Sequence, residues 1–266
     1  MTDLSTYGPW AVIAGGSEGV GAEFAHQLAD AGLNLVLVAR KPEPLEDTAA
    51  AVRERGVEVR TVSADLTERE SIDAIMAATA DVEVGLLVYN AGANTHGRAF
   101  TEGDLDGFQG VIDLNVTAML SLVHHYARPM RQRRRGGILL VGSLAGYVGT
   151  STEAIYGGVK AFGRVFAEGL WAELRDHDVH VLELVLGVTR TPAMERAGLN
   201  FDVPGMHVSE PADVAREGLA ALADGPVHVI SGNEKLVEMR SSTDRARLVS
   251  GTEKVMRLLV PPHPAD

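Results

Sequence analysis

Short apolar runs alternate with longer stretches of helical periodicity along most of this chain. The runs fall at residues 10–14, 35–39, 57–62, 85–89, 138–141, 179–186 and 227–230. They read as nearly continuous Val, Ile and Leu, the pattern of strands buried on both faces. Between them, residues 20–31, 44–55, 68–78, 105–133 and 154–177 carry apolar positions three and four apart, as amphipathic helices do. Seven strands alternating with helices predict an α/β fold, a doubly wound seven-stranded parallel sheet with helices on both faces. Two stretches break the rhythm. Residues 186–211 contain Pro192, Pro204 and Pro211 with weak periodicity, so a substrate lid without regular structure is expected over about residues 187–211. Residues 241–266 are polar and close on Pro261-Pro262-His263-Pro264; they are expected to form an extension whose end frays or packs on a neighbour. The organisation is one domain over residues 1–240, lid included, and a C-terminal extension.

Composition narrows the function. The 266 residues include no Cys, which removes thiolate chemistry and Cys-bound zinc. The scattered His124, His125, His177 and His180 have no metal-ligand spacing, so no metal is expected. A net charge of −12 argues against nucleic acid and anionic membranes as partners. The basic tract from Arg131 to Arg135 is read as a solvated helix end. With no leader-like segment and no long apolar run, a cytoplasmic protein is expected.

Gly15, Gly16, Gly19 and Gly21 lie between the first strand and the first helix. Backbone without Cβ atoms turns tightly there, and its amides with the helix N-terminus suit a pyrophosphate. The placement makes Gly15, Ser17, Glu18, Gly19, Val20 and Gly21 candidate contacts of a dinucleotide in a Rossmann-type domain. No Lys-Ser/Thr pair follows, which excludes an ATP or GTP loop of the usual kind. The second strand ends in Arg40 and Lys41 rather than an acid. Guanidinium pairs with a phosphate dianion, so NADP(H) is preferred over NAD(H), with NAD the alternative.

Tyr156 and Lys160 stand four apart on one helix face, and Ser143 ends the preceding strand at the ligand-binding edge of the sheet. A phenol titrating near 10 is a poor base unless an ammonium favours its ionised form, which Lys160 is placed to do. In this order the motifs resemble those of the short-chain dehydrogenase/reductase family, from the glycine loop to about Gly232. The resemblance implies that Asp65-Leu66 lies at the adenine and that Asn90-Ala91-Gly92 supports the sheet beside the cofactor. It also implies that Gly187, Val188, Thr189 and Thr191 hold the nicotinamide amide. Ser143, Tyr156, Lys160 and Asn115 then form the catalytic tetrad: Ser143 binds the carbonyl oxygen, Tyr156 donates the proton, Lys160 holds the ribose and Asn115 supports a proton relay.

The family pattern is not matched everywhere. Ala14 stands where the family has Thr, Glu18 where many NADP-linked relatives have a base or Ser, Tyr89 where Asn is usual, and Leu186 where Pro is usual. Glu18 is the main objection to the NADP reading. Gly157 and Gly158 follow the catalytic Tyr, where each costs helix stability of roughly 1 kcal/mol relative to Ala.

The resulting expectation is an NADP-dependent carbonyl reductase interconverting a ketone or aldehyde and an alcohol. The alternatives are an NAD-linked alcohol dehydrogenase and a dinucleotide-sensing protein without turnover. Loops at residues 93–103 and 144–153 and the lid carry Asn94, His96, Ala145, Tyr147, Val148, Met194, Leu199, Phe201 and Met206. That mix leans towards a lipophilic substrate contacted by Ser143, Ala145, Tyr147, Tyr156 and Met194. Apolar residues on several faces of the helices at 105–133 and 154–177, with the resemblance, imply a homodimer or homotetramer.

Overall fold

Trp10–Ala14 (β1) is buried at every position and pairs in parallel with strands on both sides, so its Val and Ile side chains serve two apolar layers. The computed structural model describes residues 3–259. Around β1 the sheet takes the order β3-β2-β1-β4-β5-β6-β9, all parallel. The strands are Asn34–Ala39 (β2), Val59–Ser63 (β3), Val84–Tyr89 (β4), Gly136–Ser143 (β5), Val179–Leu186 (β6) and Val227–Val229 (β9). Val188–Thr189 (β7) and Val208–Ser209 (β8) belong to a small separate sheet in the lid.

Helices Gly19–Asp30 (α1), Pro42–Arg53 (α2) and Pro211–Ala221 (α8) cover one face, where Phe24, Leu28, Leu45 and Leu219 meet Ile13, Leu35 and Leu184. Arg69–Ala78 (α3), Ala118–Arg133 (α5) and Ala154–Leu174 (α6) cover the other with Ile75, Leu122, Met130 and Ala167 against Val12, Leu87 and Leu140. The order reverses between β1 and β4, which opens a crevice beyond the strand carboxyl ends where ligands bind in such sheets.

Several expected elements are drawn differently. Helical periodicity runs unbroken through 105–133, but the helix is Leu105–Ile112 (α4), a widened π turn at Asp113–Thr117, and α5. The wide turn holds Asn115, and Tyr89, buried at the end of β4, donates its hydroxyl to the Leu114 carbonyl at 2.6 Å. The departure at Tyr89 therefore ties the sheet to this turn. Helix α8 was not expected, although Pro211 at its first turn and Val214, Ala215, Gly218 and Leu219 on one face mark it. Helix α6 ends at Leu174 and passes into a 3-10 turn, Arg175–His177.

The lid is not structureless. Val188–Thr189 (β7) pairs with Val208–Ser209 (β8), and Pro192–Arg196 (α7) lies between them. Within the extension, after Glu234–Arg240 (α9), residues Arg245–Leu259 form α10, which lines the chain's own cleft. The Pro-rich end, 261–264, lies outside the described residues. The basic tract is more than a solvated end, since Arg135 pairs with Glu83, Arg134 pairs with Asp178 at 2.7 Å, and Arg133 donates to the Val84 carbonyl.

Candidate active site

One cavity of about 1630 Å³ runs along the crevice, from the glycine loop past the ends of β4, β5 and β6 to α10. Its first wall is mostly backbone. Gly15 (φ +84°) and Gly19 (φ +56°) turn the chain through the left-handed region that Gly tolerates. A Cβ on Gly15 would stand 2.8 Å from the Ala91 amide nitrogen, and the Asn90 amide donates to the Gly15 carbonyl at 2.9 Å. Ser17, Glu18, Val20, Arg40, Lys41, Leu66, Asn90, Ala91 and Gly92 continue this wall.

Two predicted contacts stand behind it. A Cβ on Gly21 would lie 1.8 Å from the Gly15 carbonyl oxygen, so this glycine lets α1 close onto the loop and does not face the cavity. Asp65 is also off the wall, at the rim, with its carboxylate 3.8 Å from Arg40. Glu18, the objection to a phosphate-bearing cofactor, is held by Arg196 of α7 across the cleft.

Ser143, Tyr156 and Lys160 meet on the second wall. Ser143 ends β5 and its Oγ accepts from the Ala145 amide at 3.1 Å, which fixes the following turn, Leu144–Tyr147. Gly157 lets α6 approach that turn, because a Cβ there would stand 3.0 Å from the Ala145 carbonyl. Around Gly158 the space is open, and nothing in the structure requires a glycine there.

Burial pushes the Tyr156 phenol up to about 12, the Glu153 carboxylate adds to the rise, and a hydrogen bond with Ser143 opposes it. The expected lowering by Lys160 is absent from this arrangement. Lys160 Nζ sits 5.6 Å from the centre of the Tyr156 ring and donates to the Val141 carbonyl at 3.0 Å. A phenol so placed keeps its proton at neutral pH, which suits an acid better than a base. Burial also pushes Lys160 down, to about 8, with Glu183 opposing.

Asn115 lies behind the wall. Its amide donates to the Val111 and Ala93 carbonyls at 2.9 and 3.1 Å, and its buried Oδ1 has no partner. Both Asn115 Oδ1 and Lys160 Nζ come within 2.8 Å of where a Cβ on Gly92 would stand, so that glycine is where the two side chains converge.

The third wall is side chains. From β6 and the lid come Leu186, Gly187, Val188, Thr189, Thr191, Met194, Leu199 and Met206, and from α9 and α10 come Leu236, Met239, Leu248, Val255 and Met256. Thr191 Oγ1 accepts from the Met194 amide at 3.2 Å and so caps α7. Ala145 and Val148 line the cavity, but Tyr147 does not: its ring stacks under the Arg164 guanidinium at 4.8 Å on the far side of the turn. Phe201 likewise packs under Arg190, and His96 lies edge-on to Phe108 at 4.8 Å.

The sequence reading missed Glu153, one turn before Tyr156, and the whole contribution of the C-terminal segment. Arg240 donates to the Leu144 carbonyl at 2.8 Å, Arg245 to the Tyr147 carbonyl at 2.7 Å, and Glu253 accepts from the Ser151 amide and hydroxyl. Only the position of Glu153 relative to Tyr156 offered a signal; partners separated by about a hundred residues offer none. Among the described residues no group of three or more His, Asp or Glu is placed to hold a metal, and no helix is long and apolar enough to cross a membrane.

Known proteins resemble this chain in sequence and fold. A family model described as short chain dehydrogenase matches residues 9–200. A 7beta-hydroxysteroid dehydrogenase of Clostridium sardiniense is 28% identical over 257 residues, covering 96% of this chain and 98% of the relative. A solved structure concerned with 7beta-hydroxysteroid dehydrogenase stereoselectivity superposes with TM-score 0.86 at 26% identity, over 94% of this chain and 99% of that one. A short-chain dehydrogenase from Sphingobium yanoikuyae in complex with NADPH gives TM-score 0.77 at 29% identity, over 97% and 98%.

Proposed function

This chain belongs to the short-chain dehydrogenase/reductase family, an oxidoreductase acting between CH–OH and C=O, and on that premise we propose that it is an NADP-dependent reductase of a bulky, lipophilic ketone. The observation that carries this reading is the single cavity joining Ser143, Tyr156 and Lys160 to a glycine-backbone wall on one side and an apolar wall on the other.

The first wall fits a dinucleotide, since Gly15 and Gly19 turn the loop at the N-terminus of α1 and both line the cavity, where backbone amides can meet a pyrophosphate. Gly15, Ser17, Gly19 and Val20 would hold the pyrophosphate, Leu66 the adenine, and Asn90, Gly187, Val188, Thr189 and Thr191 the nicotinamide end. Arg40, its side chain 60% exposed and only loosely paired with Asp65, is available to a 2′-phosphate, as is Lys41. Glu18 does not oppose this while Arg196 neutralises it. When bound, the nicotinamide supplies the hydride.

Every other step belongs to the protein. Ser143 donates a hydrogen bond to the carbonyl oxygen and stabilises charge growing there. Tyr156, protonated at neutral pH, gives its proton to that oxygen. Lys160 orients the ribose and, when charged, steadies the phenolate left behind. Asn115 opens the way from Lys160 towards solvent. The substrate's apolar body lies among Met194, Met206, Leu236 and Met256, side chains that adapt to irregular shapes.

The same reading includes a homo-oligomer in the cytoplasm. A groove of about 690 Å³ between α5 and α6, lined by Leu120, His124, Phe166 and Leu170, together with exposed Phe162 and Val165, would pair with a second copy. Light scattering at micromolar concentration tests it, and a monomer mass contradicts it.

Fluorescence titration with NADPH and NADH, followed by a panel of bulky ketones, tests the function. NADPH is expected to bind at least ~10-fold more tightly, about 1.4 kcal/mol. Tyr156→Phe should bind it equally well and lose turnover. Equal NADH binding would turn the reading to an NAD-linked dehydrogenase. Survival of turnover in Tyr156→Phe would unseat the proton donor, and absence of turnover on any ketone would favour a sensor.

A further inference from the structure

Asn233 lies between β9 and α9 and is only 3% exposed, yet it lines the cavity. An Asn just before a helix is ordinarily explained by capping. That explanation fails here, because its side chain accepts no bond from the first turn of α9. The Leu236 and Val237 amides go to its backbone carbonyl instead, at 3.0 and 3.1 Å. The side chain is turned back, and Nδ2 donates to the Ile230 carbonyl at 3.0 Å.

That bond fixes which way round the amide sits. With Nδ2 at Ile230, Oδ1 faces Gly187, where any Cβ would overlap it. Exchanging the two atoms would set Oδ1 against the Ile230 carbonyl, acceptor against acceptor. Gly187 therefore makes the slot that admits Oδ1. Among the described residues Oδ1 accepts no hydrogen bond; the one bond of the side chain is that from Nδ2. An unpaired polar atom on a residue this buried costs free energy, so its donor has to come from the cavity.

Where this acceptor stands along the cavity decides what that donor is. Leu186, one residue before Gly187, is paired in register with Ser143 of β5. At the other end of the same segment Thr191 packs on the glycine loop, its Cβ 3.2 Å from where a Cβ on Gly19 would stand. Residues 187–191 thus run from the level of Ser143 to the loop, and a dinucleotide spanning the two passes along them. Asn233 stands at the Ser143 end, beside the reacting ring and away from the phosphates. A ketone carbonyl has no donor to offer there. The nicotinamide ring carries one, the NH2 of its carboxamide.

We propose that Asn233 Oδ1 accepts a hydrogen bond from the carboxamide NH2 of the bound nicotinamide and so sets the angle of the ring against Ser143 and Tyr156. The inference rests on the dinucleotide reading given above, and it holds for NADPH and NADH alike, since both carry the carboxamide. It adds a side chain from the C-terminal part of the chain to a subsite whose other groups, Gly187, Val188, Thr189 and Thr191, come from one stretch after β6. Asn233 makes and breaks no covalent bond; it positions the ring.

The test uses an analogue of NADPH in which a methyl group replaces the carboxamide NH2, the reduced 3-acetylpyridine form. Both ligands are titrated into the full chain by isothermal calorimetry, with no ketone present. The wild type should bind NADPH ~10-fold more tightly than the analogue. Asn233→Leu keeps the volume without the acceptor, and Asn233→Ala removes the side chain. In both, the ratio should fall to ~2-fold, through weaker NADPH binding with little change for the analogue. A structural role would weaken both ligands together and keep the ratio. That result, in a variant whose thermal melt shows it folded, overturns the proposal. A wild type that binds the two ligands equally overturns it without any variant. If NADH is the cofactor, NADH and its acetylpyridine analogue carry the same comparison. Binding of neither NADPH nor NADH by the wild type would count against the proposed function itself, whereas tight binding with an unchanged ratio counts against this inference alone.

Discussion

The two ends of the cleft are built by different means. At the cofactor end the wall is backbone: Gly15 and Gly19 in left-handed conformations, strand ends, and the Asn90 to Gly15 bond between neighbouring strands. At the substrate end the wall is side chains from α7, α9 and α10, and the turn carrying Ala145 to Ser151 is held by Arg240, Arg245 and Glu253, roughly a hundred residues later in the chain. Backbone geometry tolerates almost no substitution and fixes one ligand shape. A wall of Met, Leu and Val held by a few charged hydrogen bonds can be recut for another substrate while the chemistry beside it stays in place. That contrast teaches where to look for conserved activity and where for changed specificity.

Breaking the cofactor end should have the largest effect. Gly21→Ala places a methyl against the Gly15 carbonyl, and backbone has no rotamer with which to escape. About 3 kcal/mol of strain is expected, which would weaken NADPH roughly 100-fold in a fluorescence titration. A wild-type affinity would show that α1 does not need its close approach to the loop.

Breaking the substrate end should leave NADPH binding unchanged. Arg245→Met combined with Glu253→Gln removes charge-assisted bonds to the 144–151 turn, bonds of about 1–2 kcal/mol together after solvent screening. KM for the ketone should rise ~10-fold, with a smaller change in kcat. Equal losses in both affinities would mean that the ends are not separable.

The smallest effect is expected where the ends touch. Arg196→Met frees Glu18 from its cross-cleft ion pair, an exposed contact that solvent screens. NADPH should weaken only ~2-fold, and more than NADH, since the released carboxylate repels the additional phosphate. A larger loss for NADH would reverse the role given to Glu18.

How legible each end was follows from the same contrast. The glycine loop, Arg40, the Asn90-Ala91-Gly92 turn and the Ser143, Tyr156 and Lys160 set could be read from residue order, because neighbours in sequence or on successive strand ends build them. The seven strands were readable because burial on both faces leaves continuous apolar runs. The π turn at Asn115 was not, because apolar spacing continues through it and only the bond from Tyr89 to Leu114 marks the difference. Tyr147 was misplaced for a related reason: residue type suggested a substrate contact, whereas the turn geometry sends its ring to Arg164.

The sequence by itself determined the α/β fold, the dinucleotide-type loop and the order of Ser143, Tyr156 and Lys160, since continuous apolar runs, helical patterning and short motifs act over a few residues. Only the tertiary structure decided that α10 lines the cleft, that Glu18 is neutralised by Arg196, and that Glu183 is buried in the sheet. Each of these depends on which residues distant in the chain are brought within a few ångströms, and on how burial then changes the energy of their charges.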